Sequence, residues 1–252
     1  MDLLERYREG HQAEVWQELR RLGDRVRDPE YLPQATAVCD EMARRARHNI
    51  ETLVERLTSQ MYVFHWNDDD QTPTVPFVPA TDESADFADW LDQQPFGPVP
   101  LTVRSWVRLV GDVWLVGHFD DWAIRHQRGW EGAEDDDPLV IEIEESRYSD
   151  PSELVKSSYG DEYDNWQEWS AEKPEEAERF VLRVAPDRLT KGNVSGGPGY
   201  GFELPDPCAD GLFRADTTMP FVEYLNRIFA NGGFVECPYE LRRELSRDLL
   251  LL

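Results

Sequence analysis

The sequence predicts an α+β protein, a mainly antiparallel sheet flanked by helices with an N-terminal helical hairpin. Three observations carry this prediction. The first 60 residues hold two runs of apolar residues at helical spacing. Short β-branched and aromatic runs follow at 61–66, 113–118, 138–143 and 180–184, separated by turn-forming residues. Helical stripes then return between and after these runs, at 101–109 and 219–230.

In chain order, Leu3, Tyr7, Val15, Leu19 and Leu22 define a helix over 2–23, with Gly23 at its stop. Cys39, Met42, Ala46, Ile50, Leu53 and Leu57 make one stripe of a second helix over 33–60. Its arginines (Arg44, Arg45, Arg47, Arg56) lie largely off that stripe, as a solvated side, a docking face or a counter-charge to the acidic body. Met61–Trp66 reads as the first strand, and 67–79, with three acids and three prolines, as a linker. The linker divides the chain into an N-terminal helical extension, 1–66, and an acidic α+β domain, 67–252. A short helix over 84–92 packs through Phe87, Trp90 and Leu91, and 101–109 is helical with Val103, Trp106 and Val107 on one side. The stretch 144–178 is rich in acids and aromatics but poor in aliphatics, so irregular structure is expected, with a short helix near 174–179. Glycines and prolines make 187–210 loop-like. Helix 219–230, capped by Thr218, and a last helix from Pro238 to about 250 close the chain.

Charge is the strongest global signal. Lys and Arg number 26 against 51 Asp and Glu, a net of −25. Residues 1–66 are nearly balanced, with 10 bases and 12 acids, whereas 131–178 holds 18 acids against Arg147, Lys156 and Lys173. Such a surface repels phosphate backbones and anionic membranes and steers basic proteins toward itself. General acidity for solubility explains the same count. Direct nucleic-acid binding and membrane association are therefore not expected. Acids at the N-terminus, where a signal peptide carries bases, and three scattered cysteines (Cys39, Cys208, Cys237) point to a cytoplasmic protein without a disulfide framework.

No motif selects a catalytic centre, and neither a cofactor nor a metal is expected. The segment Lys191–Gly201 is glycine-rich, but Lys191 precedes the glycines and no helix opens after them, so it is not a P-loop. A structured turn is the expectation, an anion site the alternative. His118, Asp120, Asp121 and His126 fall close together without a metal-binding helical spacing. No GxSxG surrounds Ser195.

Three segments carry a resemblance. Pro98–Gly111, followed by the apolar run Val113–Gly117, resembles the opening helix and strand of SUKH-superfamily proteins, and Phe221-Val222-Glu223-Tyr224-Leu225 is similar to their closing helix. Ala185–Gly197 is similar to a block in large bacterial proteins of this kind. The resemblance spans about 84–235. The chain departs from it in Val99 before Pro100, in Trp106-Val107 where an aromatic pair is usual, and in a long acidic insertion. It implies an antiparallel α+β binding scaffold, with many relatives acting as immunity proteins against a toxin, and no shared catalytic residues.

The function expected from all this is a non-enzymatic protein-binding module, an immunity-type inhibitor of a basic partner protein such as a toxin. Its acids Glu134, Asp135, Asp136 and Asp137 would steer, and Tyr159, Tyr163, Trp166 and Trp169 would anchor, unless those rings fill the protein's own core. The alternatives are an enzyme with a site near His118, Asp120 and Asp121 or in the 191–201 loop, and an inhibitor that mimics nucleic-acid charge.

Overall fold

The computed structural model describes residues 2–119, 137–146 and 151–252, the last range from 154 onward with its side chains. The fold is α+β. Helices α1 (Leu3–Arg8) and α2 (Gln12–Leu22), a 3-10 turn (Gly23–Arg27) and the long α3 (Leu32–Ser59) form the N-terminal layer. A turn at Glu9–Gly10 splits the first predicted helix in two. Helix α3 spans 28 residues, about 42 Å at 1.5 Å per residue. Its stripe from Ala35 through Leu57 is fully buried against α1, α5 (Leu101–Leu109) and β1 (Tyr62–Phe64).

The arginines off that stripe turn back onto the protein. Arg45 lies 4.7 Å from the centre of the Tyr7 ring and donates to the Leu251 carbonyl at 3.0 Å. Arg56 donates to the carbonyls of Leu245 and Arg247, both at 2.6 Å. Arg47 pairs with Glu51 at 2.9 Å and also reaches the Leu109 carbonyl. The N-terminal helices thus share one apolar core with the remainder, running from Leu3 to Leu252.

The strands divide among three antiparallel sheets instead of one central sheet. β1 pairs with β4 (Gly117–Phe119). β2 (Phe77–Pro79) and β5 (Val140–Ile141) flank β3 (Gly111–Trp114). β6 (Phe180–Ala185), β7 (Tyr200–Leu204), β8 (Leu212–Arg214) and β9 (Thr218–Pro220) form a meander. The predicted strand 113–118 is two strands because Leu115 and Val116, both fully buried, step from one sheet to the next. Hydrogen bonds link the pieces, among them His65 N–H to the Val116 carbonyl at 3.1 Å, and Glu142 N–H to that of Val184 at 2.7 Å. The predicted linker contributes β2.

The second half differs from the expected elements in two places. Residues 151–172 are a helix, α6 (Pro151–Glu172), where irregular structure was expected, and the predicted helix near 174–179 is absent. The region expected to be loop holds α7 (Arg188–Lys191) and β7. Gly201 sits in β7 because the Leu182 carbonyl of β6 occupies the space a side chain would need. Thr218 is a strand residue, and Pro220 caps α8 (Phe221–Ala230), which packs on α5 through an edge-to-face contact of Phe221 with Trp106 at 5.4 Å. α4 (Ser84–Asp92) and α9 (Tyr239–Leu245) complete the set.

Asp112 of β3 is buried, and its carboxylate accepts from the backbone N–H groups of Ile143 at 2.9 Å, Glu144 at 3.2 Å and Ser146 at 2.6 Å. It fixes the exit of β5 toward α6. Asp112→Ala leaves these donors unmatched and should lower stability by about 2–4 kcal/mol, read as a fall in the urea midpoint with the slope unchanged.

Candidate functional site

Helix α6 builds the site. Val155, Tyr159, Tyr163 and Trp166 recur at spacings of four, four and three, so they share one face. Val155 and Tyr159 are buried, and the Tyr159 hydroxyl donates to the Ile143 carbonyl at 2.8 Å. Tyr163 meets Phe180 edge-on at 5.2 Å and stacks on Trp166 at 5.4 Å, whose indole N–H reaches the Glu178 carbonyl at 3.1 Å. This aromatic ladder holds the helix against β6.

The opposite face has a different chemistry. Asp161, Asp164, Glu168 and Glu172 follow at steps of three, four and four, and all are exposed. Between 161 and 178 there are eight acids and one base, Lys173. Trp169, 39% exposed, stands beside this stripe.

Trp169 and Trp166 also wall a cleft of about 670 Å³ between the C-terminal half of α6 and the β6–β8 sheet. Arg179, Arg183 and Arg214 line its other side. Arg214 pairs with Glu178 at 2.5 Å, and Arg179 donates to the Pro205 carbonyl. Arg183 lies 3.6 Å from Glu162, whose Oε2 is buried and makes no hydrogen bond among the described residues. Burial raises the Glu162 carboxyl above the usual range, more than Arg183 lowers it.

The residues named from sequence separate into three groups. Tyr163, Trp166 and Trp169 belong to the cleft and its supporting ladder. Tyr159 and Asp137 face inward and are corrections: Tyr159 is core, and Asp137, 1% exposed, binds Lys191 Nζ at 2.5 Å. Glu134, Asp135, Asp136, Asp120, Asp121 and His126 lie outside the described residues. His118 on β4 packs on His65, ring centres 4.9 Å apart. The arginines of the cleft are the residues that sequence reasoning missed. Only the outward position of Arg183 in the alternating run 180–184 gave a signal.

The glycine-rich segment already surrounds an anion, and it is the chain's own. The Asp187 carboxylate accepts from Leu189 N–H at 3.0 Å, Thr190 Oγ1 at 2.6 Å and the Gly197 N–H, and fills the space beside Gly196. Burial opposes its ionisation, but these bonds hold the carboxyl below the ordinary range. Burial pushes the Cys208 thiol up to about 12 and the Cys39 thiol well above its usual value, so neither is poised as a nucleophile. No helix among the described residues is long and apolar enough to cross a membrane.

Glu162 gives a pH prediction. An acid whose folded-state pKa is raised stabilises the fold when protonated, and that contribution is lost as pH rises through its folded value. Glu162→Gln should therefore melt higher than the parent near neutral pH. The gap should close on acidification, as the parent's carboxyl takes up its proton.

Compared with known protein families, with curated proteins and with solved structures, the chain matches none.

Proposed function

We propose that the chain is a non-enzymatic binding module for a basic protein, docking through the outer face of α6 with Trp169 as its anchor. The observation that carries this reading is the stripe Asp161, Asp164, Glu168, Glu172 beside an exposed indole. Like charges at these spacings destabilise a helix by about 0.2–0.5 kcal/mol per pair. The three successive pairs thus cost on the order of 1 kcal/mol, and a cationic partner would reverse that cost. The stripe steers encounter, Trp169 supplies burial at the contact, and the cleft gives a partner side chain somewhere to enter.

The resemblance of 98–111 and 221–225 to SUKH-type segments makes immunity-type inhibition of a toxin the specific form of this proposal. The same stripe supports a second reading, in which the partner normally holds a polyanion. The acids rise about 4.5–6 Å apart along the helix axis, a regular ladder of negative charge.

Immobilised protein should retain basic proteins at low salt. The triple variant D164K/E168K/E172K should lose them, because exposed charges act over a screening length of about 8 Å at physiological ionic strength. With a purified partner, the triple variant should slow association by roughly tenfold, while Trp169→Ala should chiefly raise the dissociation rate. Release of the partner by duplex DNA at matched ionic strength would single out the polyanion reading. Retention and rates unchanged by these substitutions would overturn the docking surface.

A further inference from the structure

We propose that Lys191 and Asp137 form a self-ligating pair, whose side chains condense into an intramolecular isopeptide bond between the end of α7 and the residue leading into β5. Both side chains are sealed from solvent, at 0% and 2% exposure, with Nζ 2.5 Å from Asp137 Oδ1. The amine is aimed: it also donates to the Pro138 carbonyl at 2.9 Å and lies 4.8 Å from the centre of the Tyr200 ring. The Tyr200 hydroxyl stands between two carboxyl groups, 3.1 Å from Asp137 Oδ2 and 3.0 Å from Asp216 Oδ1. One hydroxyl proton is shared by two acidic neighbours, which is a relay into the carboxyl that Lys191 touches.

The chemistry needs nothing from outside. Nζ gives up a proton, its lone pair attacks Cγ of Asp137, and a C–N bond forms as a C–O bond breaks. Of the three ammonium protons, one stays on the amide nitrogen and two leave with the oxygen as water. No atom is oxidised or reduced. Tyr200 polarises the carboxyl through Oδ2, and Asp216 takes and returns the proton in transit. The buried Tyr224 hydroxyl, close enough to feel both Asp137 and Asp216, makes no hydrogen bond among the described residues and can receive the departing water.

The site also favours the product. A buried ion pair carries a desolvation penalty of several kcal/mol per ion, and an amide has no charge to desolvate. Burial lowers the Lys191 pKa more than Asp137 raises it, which increases the share of free amine. Holding amine and carboxyl in contact removes the entropic cost of bringing them together.

The experiment is intact mass spectrometry of the full chain, denatured after folding. The expected mass is that of the sequence less one water, and a tryptic digest should yield a branched peptide joining the Lys191 and Asp137 segments. Lys191→Arg and Asp137→Ala should each show the full mass. Tyr200→Phe and Asp216→Asn, followed as a time course after refolding, should slow the loss of water by about a hundredfold while leaving the circular dichroism spectrum unchanged. A purely structural Tyr200 would not move that rate. If either of these variants does not fold, the parent protein alone decides. Full mass and no branched peptide after prolonged incubation of the folded parent would overturn the proposal.

Discussion

Arg27 joins the N-terminal helices to everything that follows. Its guanidinium takes both oxygens of Asp92 at 3.0 Å, the Val99 carbonyl at 2.5 Å and the Pro207 carbonyl at 3.0 Å. One side chain thereby fixes the end of α4, the approach to α5 and the loop before β8. Asp92 in turn accepts from Val99 N–H and from Arg104, so this carboxylate is shared by the helix layer and the body. Arg20 repeats the device, reaching the buried Asp210 at 2.6 Å. A planar fork of donors suits such multiple bonding in a way that a lysine ammonium does not, and 23 of the 26 bases are arginine.

With twice as many acids as bases, where the bases go decides where charge is left unbalanced. Arg20, Arg27, Arg45, Arg56 and Lys191 are all committed to interior carboxylates, rings or carbonyls. The cleft arginines are largely offset by Glu162, Glu178 and Glu203. Among the described residues, the acids on the outer face of α6 are among those with no ion-pair partner. The acidity of that face is therefore a consequence of how the other charges are used, as much as of local composition.

The legible parts of the fold were those whose buried face is aliphatic. Helix α3 announced itself through Cys39, Met42, Ile50, Leu53 and Leu57, and α5 and α8 through similar stripes. Helix α6 carried an equally regular pattern in Val155, Tyr159, Tyr163 and Trp166, but surrounding acids made an aromatic stripe look like a decorated loop. β7 was hidden by Gly199 and Gly201, which are there because backbone of β6 comes too close for side chains. Asp137 could not be told from Asp135 and Asp136 in a run of identical residues. Its partner Lys191 lies 54 positions away, and long-range pairing leaves no local trace.

The two faces of α6 answer to different demands, and that separation gives the helix its value as a recognition element. The inner face is held by rings, by the Tyr159 bond to Ile143 and by the Trp166 bond to Glu178. None of these involves the outer acids. The outer stripe is therefore free to carry repulsion that the aromatic ladder easily outweighs, since edge-to-face and stacked pairs add about 0.5–1.5 kcal/mol each beyond their burial. Electrostatics on this helix can be set by a partner without reference to the core. Trp169 is where the two requirements meet: it lines the cleft on one side and stands at the edge of the acidic stripe on the other.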